Sequence, residues 1–386
     1  MTPLRVCIVG LKCYDLLAGV PHPRYVGGAE RQQVQLARGL ASRGHHVALV
    51  TLDDGQRDGT IHDGVRVHTA YAVHDGIRVV RFLHPRWSGL VRAMRRADAD
   101  VFYQMGGDAE TGQVALWCGA AGKSFVFGLA SDADVDPALP LLRSRRQRVL
   151  YRAGLKRAAA VVAQTDAQRD RLRQAFSVDS TVIRNCSEDP GLDPRGAQIR
   201  GENPRPRCLW VGRFVPVKRL ELLLDLAAAE PGWDFHVVGA ANASGDYERG
   251  LDARAQALRN VTLHRGISDA ALDEQYRRAS VLVSTSRVEG VPTTFLEAWA
   301  RGLPVVSTVD PDDVIAKGRL GAVAAPEHLA ASVRAVLAQD PEVLAGRVRA
   351  HFLAFHTIDA YVSQHERLFL GVMPQTEPRR SAVGTA

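Results

Sequence analysis

The chain has 386 residues, 46% hydrophobic and 24% charged, a length and balance that suit two globular domains with separate cores. Its five cysteines (Cys7, Cys13, Cys118, Cys186, Cys208) are scattered and odd in number, with no C-x-x-C spacing. This argues against a disulfide scaffold or a zinc site and for a reducing compartment. The net charge of +7 sits in the first half: residues 1–190 carry 26 Lys and Arg against 19 Asp and Glu, and the remainder carries 23 of each.

In chain order, strand-like runs alternate with helix-like runs, as in βαβ units with mostly parallel sheets. The first strand, Arg5–Gly10, meets Lys12 too early for a signal peptide, and no later run reaches the length of a membrane span. A cytoplasmic location is the expectation. Gly27 and Gly28 then open a helix predicted over Ala29–Arg43, with Val34, Ala37, Leu40 and Ala41 on one face and Gly44 as the stop. Paired glycines at a helix N-terminus let a backbone approach an anion closely.

Strands are predicted at Val47–Leu52, Val65–Ala70, Asp100–Gln104, Ser124–Leu129, Ala160–Gln164 and Thr181–Asn185. After Ser124–Leu129 comes Ser131-Asp132-Ala133-Asp134, a D-x-D string read as a negative or solvated loop and not as a metal site. A basic run follows between Arg143 and Arg157, with Leu142, Val149 and Leu150 expected to share a helix face while the arginines fan outward. That pattern is a solvated helix face, or suits attraction to an acidic acceptor or to anionic lipid headgroups at the inner membrane. No aromatic-rich basic motif accompanies it, so nucleic acid is not an expected partner.

The Pro-, Gly- and Asp-rich stretch 190–206 reads as a linker. It divides a first domain (1–190) from a second (200–355). In the second, strands are predicted at Cys208–Val211, Asp234–Val238, Val261–Leu263, Val281–Ser284 and Val305–Thr308. Arg213 and Lys218 lie in the loop after the first of these, ahead of a helix Leu220–Ala229, as two cations suited to neutralise a diphosphate. The strand Val281–Ser284 leads into Glu289-Gly290-Val291-Pro292-Thr293-Thr294-Phe295-Leu296-Glu297, where Pro292 offers a helix start and Gly302 a stop. Glu289 therefore lies at the carboxyl end of a strand, where open α/β sheets bind ligands. The amides of Thr293 and Thr294 stand at a helix N-terminus suited to phosphate. Glu297 follows about one turn, roughly 5 Å, further along, a reach from diphosphate to ribose. The segment 356–372 has a helical pattern, and residues 373–386 are polar and expected to be disordered.

The stretch from Glu289 to Glu297 with Gly302–Ser307 after it, the G-R-x-x-x-x-K element Gly212–Lys218, and the Gly27–Arg31 loop together resemble the family-4 retaining glycosyltransferases of the GT-B fold, of the bacterial group-1 type. The resemblance spans nearly the whole chain. It implies an α/β protein of two Rossmann-like domains facing each other across a cleft, with the terminal helix 356–372 packing back on the first. It implies transfer of a hexose-type sugar from a UDP- or GDP-linked donor to a hydroxyl acceptor, with retention and with neither metal nor cofactor. In that scheme Arg213 and Lys218 hold the diphosphate, Gly27 and Gly28 approach it, and Glu289 orients the sugar hydroxyls. Gly290, Val291, Pro292, Thr293 and Thr294 form the phosphate loop, Glu297 takes the ribose, and Gly239 and Arg265 line the nucleoside side.

One departure matters: many members place a His after the strand equivalent to Ser124–Leu129, where this chain has Ser131 and Asp132 as acceptor-side candidates. A non-catalytic sugar-nucleotide-binding or assembly subunit is therefore the alternative. A Rossmann oxidoreductase is not supported, because Gly10-Leu11-Lys12-Cys13 stands where G-x-G-x-x-G would be.

Overall fold

A computed structural model describes the chain apart from residues 1–2, 22, 26, 78–79, 192–204, 240–244 and 375–386. Most of the expected linker and the tail beyond 374 lie outside the described residues. The chain divides into two compact units: one runs to Ile183 and resumes at Val362, the other spans Arg184–Tyr361.

The first unit holds an eight-stranded sheet of β1 (Arg5–Val9), β2 (His46–Thr51), β3 (Ile61–His62), β4 (Val65–Thr69), β5 (Val101–Met105), β6 (Ser124–Gly128), β7 (Ala160–Ala163) and β8 (Thr181–Val182). Their spatial order is β3-β4-β2-β1-β5-β6-β7-β8, parallel except for the β3–β4 pair. The two-residue β3 went unpredicted because it is too short to show alternation. From β1 the chain builds outward in one direction through β2 and in the other through β5, a topological switch point.

The second unit holds β9 (Arg207–Val211), β10 (Asp234–Val238), β11 (Val261–His264), β12 (Val281–Ser284), β13 (Val305–Ser307) and β14 (Gly321–Val323) in the order β11-β10-β9-β12-β13-β14, all parallel. This is the doubly wound order with its switch point between β9 and β12. Leu209, Val237, Val283 and Val306 are buried, as strands covered on both faces require. The unpredicted β14 reads Gly-Ala-Val, with one strong strand former.

The basic run forms a helix over Arg145–Arg157, but not with the predicted face. Leu142 is buried ahead of the helix and Val149 is exposed, while Tyr151, Gly154 and Leu155 form the buried stripe. Glycines set that choice. A side chain on Gly154 would stand 2.8 Å from the Thr111 backbone, and one on Gly112 would collide with the Leu150 carbonyl. The helices Arg145–Arg157 and Ala109–Ala120 thus touch backbone to backbone, which only glycine permits.

The terminal helix Ile358–Gly371 contributes its later turns to the first unit. Val362 rests on Gly39, Arg43 donates to Glu366 at 2.7 Å, and the His365 and Phe369 rings meet Tyr103 at 5.5 and 5.9 Å. The first unit ends at Ile183 and not near 190, because the following residues bond within the second. His356 Nδ1 donates to Asn185 O at 2.8 Å, Ser187 N donates to His356 O at 3.0 Å, and Arg349 pairs with Asp189. Among the described residues, no helix is long and apolar enough to cross a membrane.

Candidate functional site

At the switch point of the second unit, two strand ends supply the charged groups. After β9 the chain passes Gly212, Arg213 and a 3-10 turn, Pro216–Lys218, before the helix Leu220–Ala229. After β12 it passes Thr285–Val291 into the helix Thr293–Ala300, with Pro292 as its N-cap. Phe295, Leu296 and Trp299 of that helix are fully buried. At about 1.5–3 kcal/mol for each large apolar side chain, they anchor the N-terminus that precedes them.

Lys218 Nζ donates to Glu289 Oε1, joining the two loops. Backbone and side chain reinforce the junction. Arg287 N donates to Val217 O at 2.8 Å, and Thr285 Oγ1 donates to Lys218 O at 2.7 Å while accepting from Trp210 Nε1 at 3.0 Å. Arg219, at φ +48°, adds three more bonds: Nε to Thr285 O (2.8 Å), and Nη2 to Ser286 O (3.1 Å) and Thr308 Oγ1 (3.0 Å). Arg219, Thr285 and Thr308 were not singled out from sequence. The only signal was that Arg219 directly follows Lys218.

Arg213 is exposed and, among the described residues, its side chain makes neither hydrogen bond nor ion pair. Gly239, at the end of β10, lies so close that a side chain there would collide with the Gly212 carbonyl. Gly290 and Val291 are half-buried in the loop, and Thr293 and Thr294 form the first turn of the helix. Glu297 Oε2 accepts from the buried Tyr276 hydroxyl at 2.7 Å. Arg265 pairs with Asp252 and stacks over Phe214, 4.8 Å from the ring centre. Beside it, the His264 and His236 rings stack at 5.2 Å, with Arg207 donating to His236 at 2.9 Å. Burial lowers both imidazoles, His236 to about 3, so this pair is neutral. The expected donor-side residues from Arg213 to Glu297 thus all lie in the second unit, on loops and helix starts that follow its strands.

Gly27, Gly28, Ser131 and Asp132 belong to the first unit. Gly27 caps the helix Gly28–Ser42, and its missing side chain leaves room for the Glu30 carboxylate. A cavity of about 490 Å³ opens at the carboxyl ends of β1, β5 and β6, lined by Glu30, Gln33, Gln104, Glu110, Ser131 and Asp134 among others. Asp132 is not part of its lining. It pairs with Arg171 at 2.8 Å and accepts from Gln168 at 3.0 Å. Asp134 lines the cavity instead, its carboxylate accepting from the backbone N–H groups of Gly107, Ala130 and Ser131 at 2.7–3.2 Å. Burial raises the pKa of Asp134 and of Glu110. The two carboxylates of the D-x-D string therefore have different partners. Among the described residues no group of three His, Cys, Asp or Glu gathers in a metal-binding cluster.

Comparison with known proteins adds two family models. The one described as "Glycosyl transferase 4-like domain" matches residues 27–186, and the one described as "Glycosyl transferases group 1" matches residues 205–339. A D-inositol 3-phosphate glycosyltransferase from Geodermatophilus obscurus is 33% identical over 182 residues, 41% of this chain and 39% of that protein. An alpha-D-kanosaminyltransferase from Streptomyces kanamyceticus is 27% identical over 210 residues, 50% of this chain and 54% of that protein. The matches thus span between about two fifths and about half of these relatives. In fold, the chain is similar to a sucrose-phosphate synthase from Thermosynechococcus elongatus, with a TM-score of 0.74 at 18% identity over 95% of this chain and 98% of that one.

Proposed function

The chain belongs to the group 1, family-4-like glycosyltransferases of the GT-B fold, and from that premise we propose a retaining hexosyltransferase that uses a nucleoside-diphosphate sugar. One observation carries the reading: Lys218 and Glu289 are paired at the switch point of the second sheet, beside the exposed Arg213 and a helix N-terminus.

In this reading Arg213 and Lys218 take the diphosphate together with the amides near Thr293 and Thr294, and Glu289 turns from Lys218 to the sugar hydroxyls. Glu297 accepts from the ribose, and Gly239 and Arg265 flank the nucleoside. The glycines 27 and 28 and the cavity of the first unit serve the acceptor and the donor phosphate. The sugar is attacked on the face from which the diphosphate leaves. The leaving phosphate oxygen takes the proton of the acceptor hydroxyl as its own bond to the anomeric carbon breaks. Positioning and charge stabilisation are the protein's task, and no protein nucleophile is needed. Two side-chain cations and a helix terminus supply positive charge to the diphosphate, which supports a reaction without metal.

The proposal includes a bacterial, cytoplasmic setting, supported by five free, buried cysteines. It also includes peripheral contact with the inner membrane. The helix Arg145–Arg157 exposes Arg145, Arg146, Arg148, Arg152, Lys156 and Arg157 beside the exposed Leu141 and Val149.

A thermal-shift series against UDP, GDP, ADP and their hexose conjugates, with and without EDTA, tests the donor site. One nucleotide family should raise the melting temperature regardless of EDTA, and the shift should vanish in Lys218→Ala. Product made with that donor should keep its anomeric configuration by NMR. An inverted product, or a shift that EDTA abolishes, would overturn the reading.

A further inference from the structure

The cavity of the first unit carries a charge pattern of its own. Four carboxylates line it (Glu30, Asp108, Glu110, Asp134) against two cations, Lys12 and Arg86. Two of the four are committed to the fold. Asp108 caps the helix Ala109–Ala120 and accepts from Gln147 at 3.0 Å, and Asp134 accepts backbone N–H groups. The other two are not. Among the described residues Glu30 forms no ion pair, and Glu110 accepts the Tyr71 hydroxyl at 3.2 Å, with Arg86 near enough to favour its carboxylate.

Each cation also has contacts outside the carboxylates. Lys12 is exposed and lies over the Tyr25 ring at 5.2 Å, and Arg86 donates to Val73 O at 3.1 Å while facing Tyr71.

Two buried glutamines point the same way. Gln33 and Gln104 are 4% and 7% exposed, both line the cavity, and the Oε1 atom of each has no hydrogen-bond partner. Gln33 Nε2 is already given to Ala29 O at 3.3 Å, so its oxygen is the atom left over. Buried acceptors without partners are costly and are satisfied by ligand donors. Hydroxyls and ammonium groups supply donors, whereas a phosphate brings further acceptors and negative charge.

We propose that this cavity receives an amine-bearing polyol, its ammonium held by Glu30 and Glu110 and its hydroxyls by Gln33 and Gln104. The inference narrows, and rests on, the reading of the first unit as the acceptor side. Burial disfavours the Glu110 carboxylate when the cavity is empty, and a bound cation reverses that penalty. Arg86, whose Nε is also unpartnered, makes a phosphorylated polyol the rival.

The test is calorimetric titration of the full chain at pH 7.5 with 2-deoxystreptamine, its N,N′-diacetyl derivative and myo-inositol 1-phosphate, each with and without UDP and GDP. The diamine should bind at least tenfold more tightly than either competitor. Its affinity should fall tenfold in Glu110→Gln and in Glu30→Gln, whose folding is checked by circular dichroism; in the first, Tyr71 still has an acceptor. Equal or tighter binding of the phosphate or the diacetyl compound, binding of none, or undiminished affinity in both variants overturns the proposal. Nucleotide binding is read separately in the same titrations. Its failure would remove the donor reading and leave the amine result to stand or fall alone.

Discussion

Lys218 and Glu289, 71 residues apart in sequence, form an ion pair between the loops that end β9 and β12. Each therefore holds the other in place before any ligand arrives, and neither acts alone. Lys218→Ala and Glu289→Ala should each lower kcat/KM by about 100- to 1,000-fold, the range for losing one preorganised charge-stabilising group. The double variant should be little worse than either single one, because the second substitution removes a group already displaced. Steady-state kinetics on all three variants checks this. Multiplying losses would mean that the two residues work independently.

Arg219 is the second part of that junction. Its left-handed backbone costs about 1–2 kcal/mol in a residue with a side chain. Its three hydrogen bonds to Thr285, Ser286 and Thr308 more than offset that. Arg219→Ala keeps the strained backbone and loses the bonds, so unfolding in urea should show a loss of about 2–4 kcal/mol. Arg219→Gly should recover about 1 kcal/mol of it, since glycine adopts this conformation freely. Both should raise the KM for donor.

The strand-end positions of the expected donor-side residues were legible because they follow from local sequence. Gly212–Lys218 and Glu289–Glu297 are short segments directly after apolar strands, and strand ends in parallel sheets face one edge. Their pairing was not legible, since it depends on β9 and β12 being neighbours while β10 and β11 lie on the other side. The same limit misplaced the Arg145–Arg157 face. Leu142, Val149 and Leu150 are the apolar residues in the run, but Gly112 and Gly154 permit a close helix crossing that buries a different stripe. Asp132 and Asp134 look equivalent in sequence and differ through Arg171 and Gln168 on one side and three backbone N–H groups on the other.

That difference gives a paired prediction. Asp132→Asn breaks a partly exposed pair with Arg171, keeps an oxygen for Gln168, and should cost about 1 kcal/mol or less. Turnover should be nearly unchanged. Asp134→Ala leaves the N–H groups of Gly107, Ala130 and Ser131 without their acceptor, and should cost about 3 kcal/mol or more. Denaturant midpoints of the two variants decide it. A larger loss in Asp132→Asn would reverse their roles.

The last prediction concerns acid. His356 is 2% exposed, donates Nδ1–H to Asn185 O at 2.8 Å, and is lowered by burial to about 4, with His351 and Arg184 adding repulsion. In the unfolded chain it titrates near 6.5. Between these values the unfolded state binds the extra proton, so stability rises with pH and is lost as pH falls from 6.5 towards 4. The contribution lost between pH 7.5 and 5 is about 2 kcal/mol. Asp134 and Glu110 act in the opposite sense: their raised pKa values let the folded state bind protons first. The His356 share is therefore best read as a difference. His356→Gln keeps an N–H donor for Asn185 O and cannot titrate, so its urea midpoint should fall less than that of the parent chain between pH 7.5 and pH 5. Equal slopes in the two proteins would show that His356 is not held neutral by the fold.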